Sequence, residues 1–116
     1  MLAQLAAEQV HTAPPLEVAW RDVVTTPYRW RAADVHVRWS EARRRGYAAC
    51  GEAAAYLAAA AWRDGRRVEL RIVTGAPAEC GVGYRHAVAA VDGQTLDPYA
   101  GRACAAPHLL VGRYVI

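Results

Sequence analysis

The chain reads as an α+β fold in which one central buried helix packs on an antiparallel sheet. Three observations carry that expectation. Residues 49–63 are alanine-rich with helical spacing and end at Asp64-Gly65. Val68, Leu70 and Ile72 alternate with Glu69 and Arg71, the two-residue period of a half-exposed strand. Two further segments, His86 to Val91 and Gln94 to Asp97, flank Asp92-Gly93, a strong short hairpin signal. Helical segments come first and strands last, as in α+β domains.

The elements follow in order. Leu2, Leu5 and Ala6 fall at helical spacing, and Pro14-Pro15 ends any helix that they begin. Leu16 to Val24 fits a helix or a strand equally, and Thr25-Thr26-Pro27 breaks it. Val35, Val37 and Trp39 alternate with His36 and Arg38, so 35–39 is expected as a short strand or extended arm. Ser40 to Gly46 reads as a basic connector into the central helix. In that helix Cys50, Ala54, Leu57, Ala58 and Ala61 share one face, and alanine nearly everywhere else lets other backbone approach closely. Gly65 is expected to cap its C-terminus. Thr74 to Gly83 reads as a loop and Leu109 to Ile116 as a last strand.

Length and composition bound the function. With 116 residues the chain is one domain, 1–116, with one modest core. The apolar share of 54% and charged share of 22% are those of a globular protein. All basic residues are arginine; lysine, phenylalanine and asparagine are absent. A Cys-His-Asn arrangement is therefore excluded. The net charge of +3 is spread over scattered arginines without a dense basic stripe, so nucleic acid is not the expected partner. Cys50, Cys80 and Cys104 cannot all pair and match no zinc spacing; no metal and no cofactor is expected. No signal peptide is expected, because the N-terminus lacks a basic region and Glu8 interrupts a very short apolar run. The run from Ala53 to Trp62 is too short to cross a bilayer. A cytoplasmic, reducing location follows as the expectation, with no membrane partner.

The chemistry-bearing residues are Cys50, His86 and Asp97. A cysteine in the first turn of a helix has unpaired backbone N–H groups and the positive end of the helix dipole aimed at its sulfur. A nearby imidazole can take the thiol proton and return it to a leaving group. A carboxylate beside the ring fixes its tautomer and steadies its charged form. The hairpin makes the second contact geometrically testable. With a two-residue turn at Asp92-Gly93, Val91 faces Gln94, Val88 faces Asp97 and His86 faces Tyr99. His86 and Asp97 then share a sheet face as diagonal neighbours within side-chain reach. The Cys50 backbone N–H is a natural donor to an oxyanion. Each residue also has a plain structural explanation: a small buried hydrophobe, a strand histidine, a turn aspartate. Asp92 competes as the acid for His86 but belongs to the turn. Cys80 and Cys104 begin no helix and read as structural, while His11, His36 and His108 lack a comparable setting.

These residues bear a resemblance to known families. Gly46 followed by Cys50-Gly51-Glu52-Ala53-Ala54, a helix, Gly65 and the strand Val68 to Val73 resembles the transglutaminase-like core. His86-Ala87-Val88 and Leu96-Asp97-Pro98 are similar to that family's histidine and aspartate motifs. The Cys-Gly start and Asp97-Pro98-Tyr99-Ala100-Gly101 also resemble bacteriocin-leader-cleaving peptidases of the same papain-like fold. The resemblance spans about half the chain. It implies a papain/transglutaminase-like core and a catalytic triad of Cys50, His86 and Asp97. Through a thioester, that triad would act on amide, peptide or isopeptide bonds of a peptide or protein substrate. Hydrolysis and acyl transfer stay equally open. Where leader peptidases carry a glutamine donor before the cysteine, this chain has Arg43-Arg44-Arg45-Gly46-Tyr47; of the upstream tryptophans, Trp30 and Trp39 are both candidates for a role at the site. The alternative is a catalytically silent structural protein, such as a phage-particle component, that keeps the fold and has a larger protein assembly as its partner.

Overall fold

The computed structural model describes residues 2–29, 36–74, 86–97 and 109–115. The elements are helix α1 (Leu2–Gln9), a 3-10 turn (Val10–Thr12), α2 (Leu16–Thr25), α3 (Trp39–Arg45) and α4 (Cys50–Arg63). Strands β1 (Val68–Thr74), β2 (His86–Val91), β3 (Gln94–Leu96) and β4 (Leu109–Val115) follow. Helices thus precede one antiparallel sheet, and the small α+β arrangement expected from the sequence is the one observed. Among the described residues no helix is long and apolar enough to cross a membrane.

The helix α4 is the centre of the packing. Every residue from Gly51 to Ala61 is buried; α1, α2 and α3 pack against it, and so do strands β1 and β2. An alanine surface suits such a position because small side chains let neighbouring elements approach on all sides. Larger groups are few and specific. Leu57 on the helix and Val23, Val68, Leu70 and Val91 around it are among the largest fully buried side chains. Tyr56 stacks on Trp39 with ring centroids 4.7 Å apart and donates its hydroxyl to Asp22 Oδ2 at 2.8 Å. The C-terminus closes as expected at Gly65, whose φ is +75°. Gly65 N–H donates to Trp62 O and Arg66 N–H to Ala61 O, the paired bonds that satisfy the last helical carbonyls.

The ambiguous stretch after Pro15 is helix α2. Ala19 and Val23 lie buried one turn apart, and the Pro15 carbonyl accepts from both Val18 and Ala19 at 3.0 Å. The basic connector expected over 40–46 is instead the helix α3. It forms because Trp39 and Ala42 bury one face and the side chain of Gln9 accepts from Trp39 N–H at 2.9 Å. Gly46, at φ +90°, ends it by donating back to Ala42 O and Arg43 O. Of the two alternatives for 35–39, a short strand or an extended arm, the described residues take the second. His36 to Arg38 form an extended arm and Trp39 already opens α3; Val35 lies outside the described residues.

Strand order in the sheet is β3-β2-β1-β4. Val68 pairs with Val91 and Val73 with His86, while β4 pairs with β1 through a register irregularity at Ile72/Val73. Asp92 and Gly93 both take positive φ, the conformation of a tight hairpin turn, and Val91 pairs with Gln94 and Ala89 with Leu96. That register is the one read from the sequence. The ladder of β3 ends at Leu96, one residue earlier than expected. Ala87, Ala89 and Val91 join the core. On the opposite face the Arg71 guanidinium bonds Glu69 at 2.8 Å and Thr95 at 3.1 Å. At the turn, Asp92 bonds Arg66 Nε at 2.8 Å and Arg67 N–H at 3.1 Å. This tie holds the hairpin turn against the start of β1 and accounts for Asp92 as a turn residue, not a partner of His86.

Candidate active site

Cys50 is the first residue of α4, following Ala49 in extended conformation. The first-turn N–H groups of a helix have no intrahelical acceptor, and they surround the base of this side chain. Its thiol is free and half-buried, and the sulfur accepts the backbone N–H of Ala87 at 3.4 Å. That bond brings the mouth of α4 against the start of β2, the end far from the hairpin turn, where His86 begins the strand.

The His86 side chain is fully enclosed, and its Nε2 lies 2.9 Å from Asp97 Oδ2. Asp97 follows the last paired residue of β3, so the hairpin itself delivers carboxylate and ring to one face. Burial of the imidazole works against its charged form. Hydrogen bonds to Asp97 and then to Cys50, with the charges of both groups, outweigh that effect and push the ring's pKa up from 6.5 to about 9. With Nε2 committed to Asp97, Nδ1 is the nitrogen left to serve the sulfur. Cys50, His86 and Asp97, far apart in sequence, are therefore brought together in the order thiol, imidazole, carboxylate.

No family model, characterised protein or solved structure matches this chain.

Two residues that sequence reasoning passed over complete the surroundings of Cys50. Glu52 is buried, 1% exposed, directly under the helix mouth. Its Oε1 accepts Ala49 N–H at 2.9 Å and pairs with the Arg45 guanidinium, while its Oε2 accepts Val37 N–H at 2.9 Å. One carboxylate thus satisfies a helix-entry donor, neutralises an arginine and pins the arm at 36–38. The sequence signal was available: a glutamate three residues after the N-cap commonly reaches back to the N-cap amide. His36, thought to lack context, is carried by that arm onto Gly51, beside the sulfur-bearing residue.

The approach to the helix is framed by a second strand-like contact. Pro27 O accepts Ala48 N–H at 2.9 Å and Arg29 N–H reaches Ala48 O at 3.0 Å. The Arg45 and Arg29 guanidinia lie over the Tyr47 ring, 4.2 Å and 4.5 Å from its centroid. Trp39, one of the two tryptophans singled out from sequence, is spent in the core against Tyr56. Trp30, Cys80, Cys104, His108 and Tyr99 lie outside the described residues; His11 is exposed in the 3-10 turn. Among the described residues no group of three histidine, cysteine, aspartate or glutamate side chains could hold a metal ion.

Proposed function

We propose that this chain is a cysteine-dependent acyl-transfer enzyme that cleaves an amide, peptide or isopeptide bond in a peptide or protein substrate. The observation that carries the reading is the 2.9 Å contact between His86 and Asp97, made by a ring whose other partner is a thiol at a helix mouth. A papain/transglutaminase-like core is the architecture that fits best: a cysteine-initiated helix against an antiparallel sheet whose hairpin supplies histidine and aspartate.

Cys50 acts as the nucleophile. Its proton rests on His86, whose ring is charged at neutral pH, and the sulfur bonds to the carbonyl carbon while the carbonyl π pair moves onto oxygen. The N–H of Ala87 and the helix mouth favour negative charge on the attacking sulfur. Cys50 N–H donates to the resulting oxyanion. The imidazolium then gives its proton to the departing amine, leaving a thioester on Cys50. Water or a second amine attacks that thioester with His86 as base, so hydrolysis and transfer share every step but the last. Asp97 keeps the ring turned towards sulfur throughout and does not itself take the proton.

Iodoacetamide at neutral pH tests this directly. Cys50 is expected to alkylate much faster than Cys80 or Cys104, and His86→Ala to slow that alkylation by about tenfold or more, at the lower end of what a positioned base contributes. Equal reactivity of the three thiols would sink the enzymatic reading and favour a structural, assembly-type protein.

A further inference from the structure

Gly51 is the only glycine in α4, in a helix built largely of alanine. Glycine is the poorer helix former of the two, and its φ here is not one that demands glycine. What excludes a side chain is His36. A Cβ at position 51 would stand 2.7 Å from Cε1, 2.8 Å from Nε2 and 3.0 Å from Nδ1 of that ring, inside van der Waals separation. The nitrogen-bearing part of an imidazole thus occupies the space that a methyl group would fill on the residue after Cys50. The ring is half-buried, and its placement is fixed from below, because the neighbouring Val37 N–H is bonded to the buried Glu52.

Acyl transfer concentrates negative charge on one oxygen, and fixed donors aimed at that oxygen lower the barrier most when more than one is present. The helix mouth offers Cys50 N–H. His36 is the polar side chain packed against the adjoining residue. We propose that His36 donates an imidazole N–H to the substrate carbonyl oxygen as it becomes an oxyanion, alongside Cys50 N–H. The inference rests on the thiol acyl-transfer reading above. In this step the sulfur–carbon bond forms, the carbonyl π pair moves to oxygen, and its return expels the leaving group. His36 keeps its proton from start to finish, so it is a hydrogen-bond donor and not an acid.

Two probes that meet the same sulfur separate this role from mere packing. p-Nitrophenyl acetate acylates a thiolate through an oxyanion and releases p-nitrophenolate. Iodoacetamide alkylates it by displacing iodide, with no oxyanion formed. With the full chain, His36→Ala is expected to slow acylation of Cys50 by about 100-fold, the scale for loss of one oxyanion donor, and to leave alkylation nearly unchanged. His36→Gln, which keeps an N–H on a side chain, regains much of the acylation rate. Gly51→Ala, which displaces the ring, reproduces the His36→Ala pattern. The proposal is overturned if acylation and alkylation change in parallel, if neither changes, or if the glutamine variant is no faster than the alanine variant. Failure of the underlying reading looks different: the unmodified chain would then show no preferential alkylation of Cys50 at all.

Discussion

The imidazole of His86 is held between a carboxylate and a thiol, with water excluded, and this governs how it titrates. Burial alone would discharge the ring; Asp97 and Cys50 reverse that and place its midpoint near 9. The ring is therefore charged at neutral pH while its proton remains within reach of the site. Replacing Asp97 with asparagine removes the larger of the two supporting hydrogen bonds and a full negative charge. The midpoint is expected to fall towards the ordinary 6.5. Proton NMR of the His86 ring across pH 5 to 10 reads it directly, and an identical midpoint in both proteins would remove Asp97 from the role of ring partner. The same variant checks whether Asp97 is only a turn residue, because a turn aspartate has no hold on that titration.

The central helix and the hairpin were legible in the sequence because their signals are local. Alanine periodicity, Gly65 and Asp92-Gly93 each act over a few residues, and the pairing of His86 with Asp97 followed from strand register alone. The helix α3 was not legible. Three consecutive arginines blur its periodicity, only Trp39 and Ala42 are buried, and the acceptor for its first N–H comes from Gln9, thirty residues away. The position of His36 was hidden for the same reason: it depends on the bond from Val37 N–H to a carboxylate fifteen residues further on, at Glu52. That carboxylate is the joint between α3, the arm and α4. Substituting Glu52→Ala strands the Arg45 guanidinium and two backbone N–H groups together. A loss of about 3–5 kcal/mol is expected, as for a broken buried ion pair. Urea unfolding measures it, and a loss under about 1 kcal/mol would mean that the arm and helix entry are held by other contacts.

Across the whole molecule, the layers place a charged ring in the interior, and folding is thereby coupled to protons. The ring binds its proton more tightly when folded, near 9, than when unfolded, near 6.5. This contribution to stability is fully present below about pH 6.5 and is lost as pH rises through about 9. The expected fall is on the order of 3 kcal/mol over that interval. Denaturant midpoints taken from pH 6 to 10 should show it, and His86→Gln should flatten the curve. A profile equally steep without the histidine would assign the effect to other groups.

The hairpin turn carries a consequence for the distant end of its strands. Asp92 is clamped to Arg66 and Arg67, about 20 Å from His86 by strand rise, yet the two-residue turn it opens decides which way the Asp97 carboxylate looks. Because strands present alternate residues to alternate sides, the site depends on the parity of that turn. Two residues added there keep acid and ring on speaking terms, whereas one added residue leaves the ring intact and turns its carboxylate to the wrong side.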